Sequence, residues 1–186
     1  MAERIDAETA WRVYRESDCL YDEAEVQAAL DRMAEAVHRD LADRDPLLLC
    51  VMNGGLYTMA ELSRRLAFPL QMDYLQATRY RGRTTGSEVA WLARPQHPLR
   101  DRHLLVVDDI LDEGHTLAAI LQYCRDAGAA SVRTAVLVQK RHQRLAAGVS
   151  ADYIGLEVPD RYVFGCGMDY HDYLRNLPGI HAVRGM

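Results

Sequence analysis

Three aspartates, Asp108, Asp109 and Asp112, stand within five residues, directly after an apolar segment and directly before a helical pattern. Carboxylates at this spacing repel one another unless a divalent cation or a polyol ligand satisfies them. The turn at residues 113–116 then directs backbone N–H groups and the Thr116 hydroxyl outward at a helix N-terminus, which suits a phosphate monoester. Acidic side chains that can bind sugar hydroxyls, followed by a turn that can bind a phosphate, predict a site for ribose 5-phosphate.

The elements that must position these aspartates alternate between strands and helices. Apolar runs typical of strands covered on both faces span residues 47–52, 104–107 and 132–138, and shorter strands are predicted at residues 153–156 and 162–164. A helical stripe with a capping pair begins at Asp22, and Gly128 is predicted to end the helix after the aspartates. This alternation predicts an α/β fold in which helices cover both faces of a parallel sheet. Residues 53–55 and 108–116 would then lie at the carboxyl ends of the strands, where such sheets bind ligands.

Residues 77–102 lack a comparable pattern. They contain two glycines, two prolines and six arginines against one Glu and one Asp. We expect a long loop here, and a loop of this length is more often functional than filler.

The overall composition excludes several functional classes. The 27 acidic and 22 basic side chains give a net charge of -5, which argues against nucleic acid and against an anionic membrane as partners. The four cysteines form no CxxC pair and the seven histidines no HExxH motif, so structural zinc is not expected. The first residues lack the apolar stretch of a signal peptide, and the longest apolar run is far below the roughly 18 residues of a membrane span. We therefore expect a cytoplasmic protein with free thiols.

Several segments resemble one known enzyme family. LLVVDDILDEGHTL (residues 104–117) is similar to the binding signature of the type I phosphoribosyltransferases, in which paired acids and a further Asp precede a Gly-containing turn. From about Leu47 to Ile180 the chain resembles the 6-oxopurine branch of that family, the hypoxanthine-guanine phosphoribosyltransferases. The segments that carry this wider resemblance are VMNGGL (51–56), RYRGRTTG (79–86), VQKR (138–141) and EVPDRYVFGCGMDYHDYLRNLPGI (157–180).

The resemblance implies the type I phosphoribosyltransferase fold, which is a twisted parallel sheet flanked by helices, with a small hood subdomain. It implies a single domain with its core at about residues 26–166 and its hood at about residues 1–25 and 167–186. Members of this family generally form dimers or tetramers, so a homo-oligomer is expected.

The reaction implied by the resemblance transfers a 5-phosphoribosyl group from 5-phosphoribosyl 1-pyrophosphate (PRPP) to a purine nitrogen, with Mg²⁺ on the pyrophosphate that leaves. Asp112 would be the general base near the purine N7. Asp108 and Asp109 would hold the ribose hydroxyls directly or through metal, and Asp169 would be a further metal ligand. The residues implied to bind PRPP are Asp108, Asp109, Glu113, Gly114, His115, Thr116, Asn53, Gly54, Gly55 and Arg175.

Four residues are implied to bind the purine: Lys140, Tyr162, Val163 and Asp169. An ammonium donates hydrogen bonds and accepts none, so Lys140 favours a 6-carbonyl purine over a 6-amino purine. Lys140 is also the only lysine among 22 basic side chains, which supports a specific role because Arg does not replace a compact single-point donor. Tyr162 offers a ring face to the flat base, and the Val163 backbone could recognise its edge.

Three residues depart from the family pattern. Glu113 stands where a Thr or Ser usually gives its hydroxyl to the 5-phosphate, and Asn53 stands where Lys or Arg is commoner. Arg79 precedes Tyr80 where a Ser often stands, in a flexible loop (79–90) that is implied to close over the reacting centre and exclude water. The Met52–Asn53 peptide is the one that can be cis in this family.

The function implied is purine salvage, in which hypoxanthine or guanine becomes IMP or GMP. A xanthine-preferring enzyme stays open, because nothing in the sequence fixes how the purine 2-substituent is recognised. A non-catalytic regulatory protein that senses nucleotide also stays open, although Asp112 and the acidic net charge count against it. Each motif taken alone has a simpler interpretation. The acidic segment could be a solvated turn, Lys140 a surface residue, and Tyr162 a residue that packs in the core.

Overall fold

A computed structural model describes residues 4–79 and 89–185 of the chain. The helices are α1 (Ala7–Glu16), α2 (Glu23–Leu41), α3 (Gly55–Ser63) and α4 (His115–Asp126), and none of them in these ranges is long and apolar enough to cross a membrane. The strands are β1 (Asp18–Tyr21), β2 (Leu47–Val51), β3 (Gln71–Arg79), β4 (Val89–Ala93), β5 (His103–Leu111), β6 (Ser131–Arg141), β7 (Tyr153–Pro159), β8 (Val163–Phe164) and β9 (Ile180–Ala182). Tyr80, most of the expected flexible loop and the side chain of Arg79 lie outside the described residues.

Six strands form the main sheet in the order β4-β3-β2-β5-β6-β7, and all neighbours are parallel except β3 and β4. All five residues of β2 are buried, because helices cover both faces of the sheet. Their side chains alternate between two hydrophobic clusters: Leu47 and Leu49 pack on the α4 face, and Leu48 and Cys50 on the face of α2 and α3. The expectation of a parallel sheet flanked by helices is confirmed.

The helices begin and end at the signals that the sequence carries. The Asp22 side chain accepts a hydrogen bond from the Glu25 backbone N–H, and the Glu25 side chain accepts one from the Asp22 N–H, which together cap α2. After α4, Gly128 adopts a φ of 83°, the left-handed conformation that commonly ends a helix. Helices α2 and α4 pack against opposite faces of the sheet.

A second sheet of three short strands, in the order β1-β9-β8, joins segments near the two ends of the chain. Strand β9 pairs antiparallel with both β1 and β8. The short strand expected at residues 162–164 is found as β8, and it belongs to this antiparallel sheet and not to the parallel one. Gly165 and Gly167, with φ of 98° and 102°, turn the chain directly after Phe164 and allow it to return antiparallel.

Two further boundaries differ from the expectation. Residues 77–102 are not one loop, because β3 continues to Arg79 and pairs with β4 as an edge strand, with Trp91 packed against the core. Likewise β5 continues to Leu111, so Asp108 and Asp109 are strand residues and not loop residues. The parallel ladder with β6 extends through Leu111, and this tertiary pairing overrides the low strand propensity of aspartate.

Candidate active site

The carboxyl ends of β2 and β5 open into a cleft of about 300 Å³. The residues that line it include all those expected to bind PRPP except Gly55: Asn53, Gly54, Asp108, Asp109, Glu113, Gly114, His115, Thr116 and Arg175. Gly55 is buried at the start of α3, where a Cβ would lie 2.6 Å from the Val107 carbonyl oxygen. The fold therefore brings three distant segments of the chain to one cleft.

Asp108 and Asp109 lie side by side at the end of β5. Asp108 accepts a hydrogen bond from the Asp109 N–H at 2.9 Å, and Asp109 accepts one from the Ile110 N–H at 2.7 Å. Burial raises the pKa of both carboxyls, and the charge of Asp109 raises the pKa of Asp108 further. A cation or a pair of sugar hydroxyls would relieve this repulsion.

Close backbone approaches fix one wall of the cleft. A Cβ on Gly54 would lie 2.0 Å from Asp109 Oδ2, so only glycine leaves room for the carboxylate. A Cβ on Gly167 would lie 2.1 Å from the Gly54 carbonyl oxygen. The Met52–Asn53 peptide is cis. These contacts set the distance between the turn after β2 and the acids of β5.

The turn at residues 113–116 has the geometry of an anion site. Gly114 adopts a φ of 76° as the N-cap of α4, and no side chain caps the helix, so its first N–H groups are available to a ligand. The Glu113 carboxylate turns towards two basic side chains, with Oε1 3.7 Å from Arg144 Nε and Oε2 3.9 Å from His115 Nε2. Arg144 thereby offsets part of the negative charge that would otherwise oppose a phosphate.

Two hydrogen-bond donors contact Asp112: Lys140, which lies in β6, and His142, which follows the end of that strand. Lys140 Nζ donates to Asp112 Oδ2 at 2.8 Å, and His142 Nε2 lies 2.7 Å from Oδ1. Burial alone would raise the pKa of Asp112, but the hydrogen bonds from Lys140 and His142 and the charge of Lys140 outweigh it and lower that pKa. Asp112 is therefore an ionised carboxylate with both oxygens engaged.

A second cleft, of about 200 Å³, opens beside the first. It is lined by all the residues expected to bind the purine: Lys140, Tyr162, Val163 and Asp169. Asp109, Ile110 and Asp112 line both clefts, so the two meet at the end of β5. Tyr162 is 40% exposed, and Tyr170 contacts its ring edge-on with the ring centroids 5.5 Å apart. A flat ring bound against Tyr162 would lie beside Asp112.

Arg175 connects the acids that are expected to hold a metal ion. Its Nη2 lies 2.6 Å from Asp169 Oδ1, and its Nη1 donates to the Gly167 carbonyl at 2.7 Å and lies 4.0 Å from Asp109 Oδ2. Mg²⁺ prefers hard oxygen ligands and usually takes one or two carboxylates together with substrate phosphates. The carboxylates of Asp108, Asp109 and Asp169 are oxygen ligands of this kind, and a cation at Asp169 would take the place of its ion pair with Arg175.

A different set of side chains comes nearer to a preformed metal site. Within residues 4–79 and 89–185, the one group of His, Cys and acidic side chains whose ligand atoms all lie within 4.8 Å of one another is Asp112, His142 and Asp160. Lys140 already pairs with Asp112, and Arg144 binds both oxygens of Asp160 at 2.7 and 2.9 Å. Because these cations neutralise the two carboxylates, we assign no metal to this group.

His142 and Arg144 are site residues that were not predicted from the sequence. Side chains two residues apart on an extended chain point the same way, which places His142 on the side of Lys140. The register of β5 and β6 sets Leu111 opposite Gln139 and so brings Asp112 beside Lys140. The spacing of His142 from Lys140 was therefore the available signal.

The chain is similar to known proteins along most of its length. A model of the phosphoribosyl transferase domain matches residues 16–171. The chain is 32% identical over 166 residues to the hypoxanthine-guanine phosphoribosyltransferase of Bacillus subtilis (strain 168), covering 89% of this chain and 92% of the relative. It is 30% identical over 165 residues to the hypoxanthine-guanine-xanthine phosphoribosyltransferase of Tritrichomonas foetus, covering 89% and 90%. A crystal structure of a hypoxanthine phosphoribosyltransferase from Staphylococcus aureus matches with a TM-score of 0.86 at 25% identity, covering 92% of this chain and 94% of that one.

Proposed function

The chain belongs to the phosphoribosyl transferase domain family, and on that premise we propose that it converts hypoxanthine or guanine, with PRPP, to IMP or GMP and pyrophosphate. It is a pentosyl transferase of purine salvage. The observation that carries the proposal is the junction of the two clefts, where Asp109 and Asp112 line both. The relatives named for hypoxanthine and guanine support the same substrate class.

The proposed reaction joins a purine ring nitrogen to C1 of the ribose as the bond from C1 to pyrophosphate breaks. Lys140 donates to the purine 6-carbonyl and orients the ring against Tyr162. Asp112 receives the ring proton, and general-base help of this kind contributes about 10²- to 10⁴-fold. The leaving pyrophosphate departs towards Arg175, whose planar fork suits its oxygens.

The 5-phosphate is proposed to bind at the turn of residues 113–116. The uncapped N–H groups of α4 and the positive end of its dipole support this placement. The Glu113 carboxylate, which turns towards Arg144, leaves the backbone of Gly114 and Thr116 to the phosphate. The ribose hydroxyls would then reach Asp108 and Asp109.

Mg²⁺ is the proposed cofactor. Asp108, Asp109 and Asp169 would hold it together with oxygens of PRPP, and when bound it supplies positive charge to the pyrophosphate that leaves. The raised pKa of Asp108 and Asp109 supports this assignment, because two buried neighbouring carboxylates are satisfied by a cation.

A homo-oligomer, either a dimer or a tetramer, is proposed as the assembled state. Leu56, Met72 and Tyr74 are 54%, 54% and 46% exposed and line one apolar depression beside Met52. Contiguous exposed apolar surface of this kind marks association sites. Sedimentation equilibrium is expected to give a dimeric or tetrameric mass, and a monomer at every concentration would contradict it.

The four free cysteines suit the reducing cytoplasm, where we propose that the enzyme acts.

The proposed function is tested by supplying the purified protein with PRPP, Mg²⁺ and one base at a time. The bases are hypoxanthine, guanine, xanthine, adenine, uracil and orotate, and the product is measured as nucleotide. We expect IMP and GMP, with far slower turnover of adenine, uracil and orotate. The absence of nucleotide from every base would overturn the proposal. Fastest turnover of xanthine would instead assign the xanthine preference; xanthine is one of the three bases for which the Tritrichomonas foetus relative is named.

A further inference from the structure

His142 gives Asp112 a hydrogen bond whose direction the surrounding contacts determine. The His142 side chain is 4% exposed and follows directly after β6. The backbone N–H of Arg144 donates to His142 Nδ1 at 3.0 Å, so Nδ1 acts as an acceptor and carries no proton. The proton of the neutral ring is therefore on Nε2, which donates to Asp112 Oδ1 at 2.7 Å.

The two donors on Asp112 differ in their freedom to move. Lys140 has a flexible four-carbon stem, and in the proposed reaction its ammonium turns to the purine 6-carbonyl. The His142 ring is short, buried and anchored at both nitrogens, by the Arg144 backbone and by Asp112. When Lys140 leaves Oδ2, His142 still holds Oδ1, and Oδ2 becomes the oxygen that is open to the purine.

We propose that His142 is a positioning residue that anchors Asp112 through Oδ1, so that release of Lys140 to a 6-carbonyl leaves Oδ2 free for the purine ring proton. This inference rests on the proposed function and adds a coupling between base recognition and proton transfer. A 6-amino purine offers the Lys140 ammonium no carbonyl acceptor, so Oδ2 stays paired with Lys140. The pairing seen in the structure then withholds the general base from the wrong purine.

The hydrogen bonds around His142 favour the Nε2–H tautomer. Arg144 and Asp160 neutralise each other through two hydrogen bonds. Glu113 Oε1 lies 3.7 Å from Arg144 Nε. A second proton on Nδ1 would set two donors against each other, because the Arg144 N–H already points at that nitrogen. The ring therefore serves as a fixed donor, with the Arg144 backbone as its support.

Two substitutions separate positioning from packing. The side-chain amide of Gln reaches the place of an imidazole Nε2 and can donate to Asp112, whereas the shorter Asn matches Nδ1 and falls short of it. We expect His142→Asn to lower kcat with hypoxanthine by about tenfold to a hundredfold, because a misplaced base costs that much. We expect the KM for PRPP to stay within about threefold, since the phosphate turn keeps its backbone donors. His142→Gln should keep kcat within about threefold of the wild type because its donor is restored.

Wild-type kcat in His142→Asn, or equal losses of kcat in both variants, would overturn the positioning role. A second measurement uses the wild-type protein. The ¹⁵N NMR chemical shifts of the His142 ring nitrogens report which of them carries the proton. We expect the neutral Nε2–H form, and a neutral Nδ1–H form would overturn the inference even if both variants failed to fold. Failure of the proposed function looks different, because the wild-type protein would then make no nucleotide from any 6-oxopurine.

Discussion

Asp112 has to be ionised to accept a proton, yet the donors that keep it ionised also occupy its oxygens. Lys140 and His142 lower its pKa in the free protein, which makes the carboxylate a weak base. A general base is most effective when its pKa lies near the working pH. Departure of Lys140 to the purine would remove its hydrogen bond and its positive charge from Asp112 and so raise the basicity of that carboxylate when substrate is present.

Replacement of Asp112, the proposed general base, tests its role in proton transfer. Asp112→Asn is expected to lower kcat by about 10²- to 10⁴-fold, because an amide cannot take up the ring proton. PRPP binding measured by calorimetry should stay within several-fold of wild type. Asp126→Asn, at an exposed position at the end of α4, is the matched control and should leave kcat unchanged. Loss of folding in Asp112→Asn would instead make the residue structural.

Lys140 is expected to determine the choice of purine. Lys140→Gln should reduce the preference for hypoxanthine over adenine by at least about tenfold, because an amide can accept from a 6-amino group and the charged donor is lost. The measurement is the ratio of kcat/KM for the two bases. Arg141→Gln is the control, since Arg141 is 67% exposed and pairs with Glu157 away from the cleft. An unchanged ratio in Lys140→Gln would remove Lys140 from base recognition.

Among the elements, the turn between β2 and α3 is fitted most tightly to the site. Gly54→Ala would place a Cβ 2.0 Å from Asp109 Oδ2, so the turn or the carboxylate must move. We expect PRPP binding to weaken by about tenfold or more, since misplacement of about an ångström can cost a hundredfold. Gly148→Ala is the contrast, because its φ is 76° but nothing lies within 4 Å of the new Cβ. That variant should lose stability and keep its affinity, and unchanged PRPP affinity in Gly54→Ala would contradict the account.

Hydrogen bonds to the side chain of Asp73 connect β3 to the segment after β4. Its side chain is 6% exposed and accepts from the backbone N–H groups of Gln96 at 2.7 Å and His97 at 2.8 Å. Burial would raise the pKa of Asp73, but the hydrogen bonds from His97, Tyr74 and Gln96 outweigh it and lower the pKa. The folded pKa thus lies below the unfolded value of about 4, so the stabilisation is present above that pH and is lost as pH falls through the folded pKa.

Asp73→Asn is therefore expected to lower the free energy of unfolding by roughly 1–3 kcal/mol at pH 7, since buried donors lose a charged acceptor. Urea denaturation at pH 7 and at pH 3 measures it. The difference between the variant and the wild type should shrink at pH 3, because part of the stabilisation is lost once the pH falls below the unfolded pKa of about 4. An equal difference in the free energy of unfolding at both pH values would show that the charge of Asp73 contributes nothing to stability.

Elements with local signals were predictable from the sequence, and those that need a partner were not. The apolar run at Leu47–Val51 and the capping pair of Asp22 and Glu25 each act within a few residues, and both are found as expected. Strand β4 and the place of β8 in the second sheet depend on the edges that β3 and β9 offer, which no local pattern encodes. The site follows the same rule: the acidic motif at residues 108–112 could be singled out from its own residues, whereas the contact between His142 and Asp112 depends on the register of β6 against β5.

The whole molecule carries a net charge of -5, yet its proposed substrate is a polyanion. Binding must therefore come from local donors and not from the overall field. The α4 N-terminus, Arg175 and Mg²⁺ would meet the two ends of PRPP, while Lys140 faces the base in the neighbouring cleft. The two clefts act as one site only if a single nucleotide spans both of them.

A crystal structure of the protein with IMP bound tests that claim most directly. The account predicts the 5-phosphate on the backbone of residues 113–116, the ribose hydroxyls at Asp108 and Asp109, and the purine 6-oxygen within hydrogen-bonding distance of Lys140 Nζ. Asp112 should keep its hydrogen bond to His142. A nucleotide whose phosphate lies away from that turn, or whose base lies outside the cleft of Lys140 and Tyr162, would contradict it.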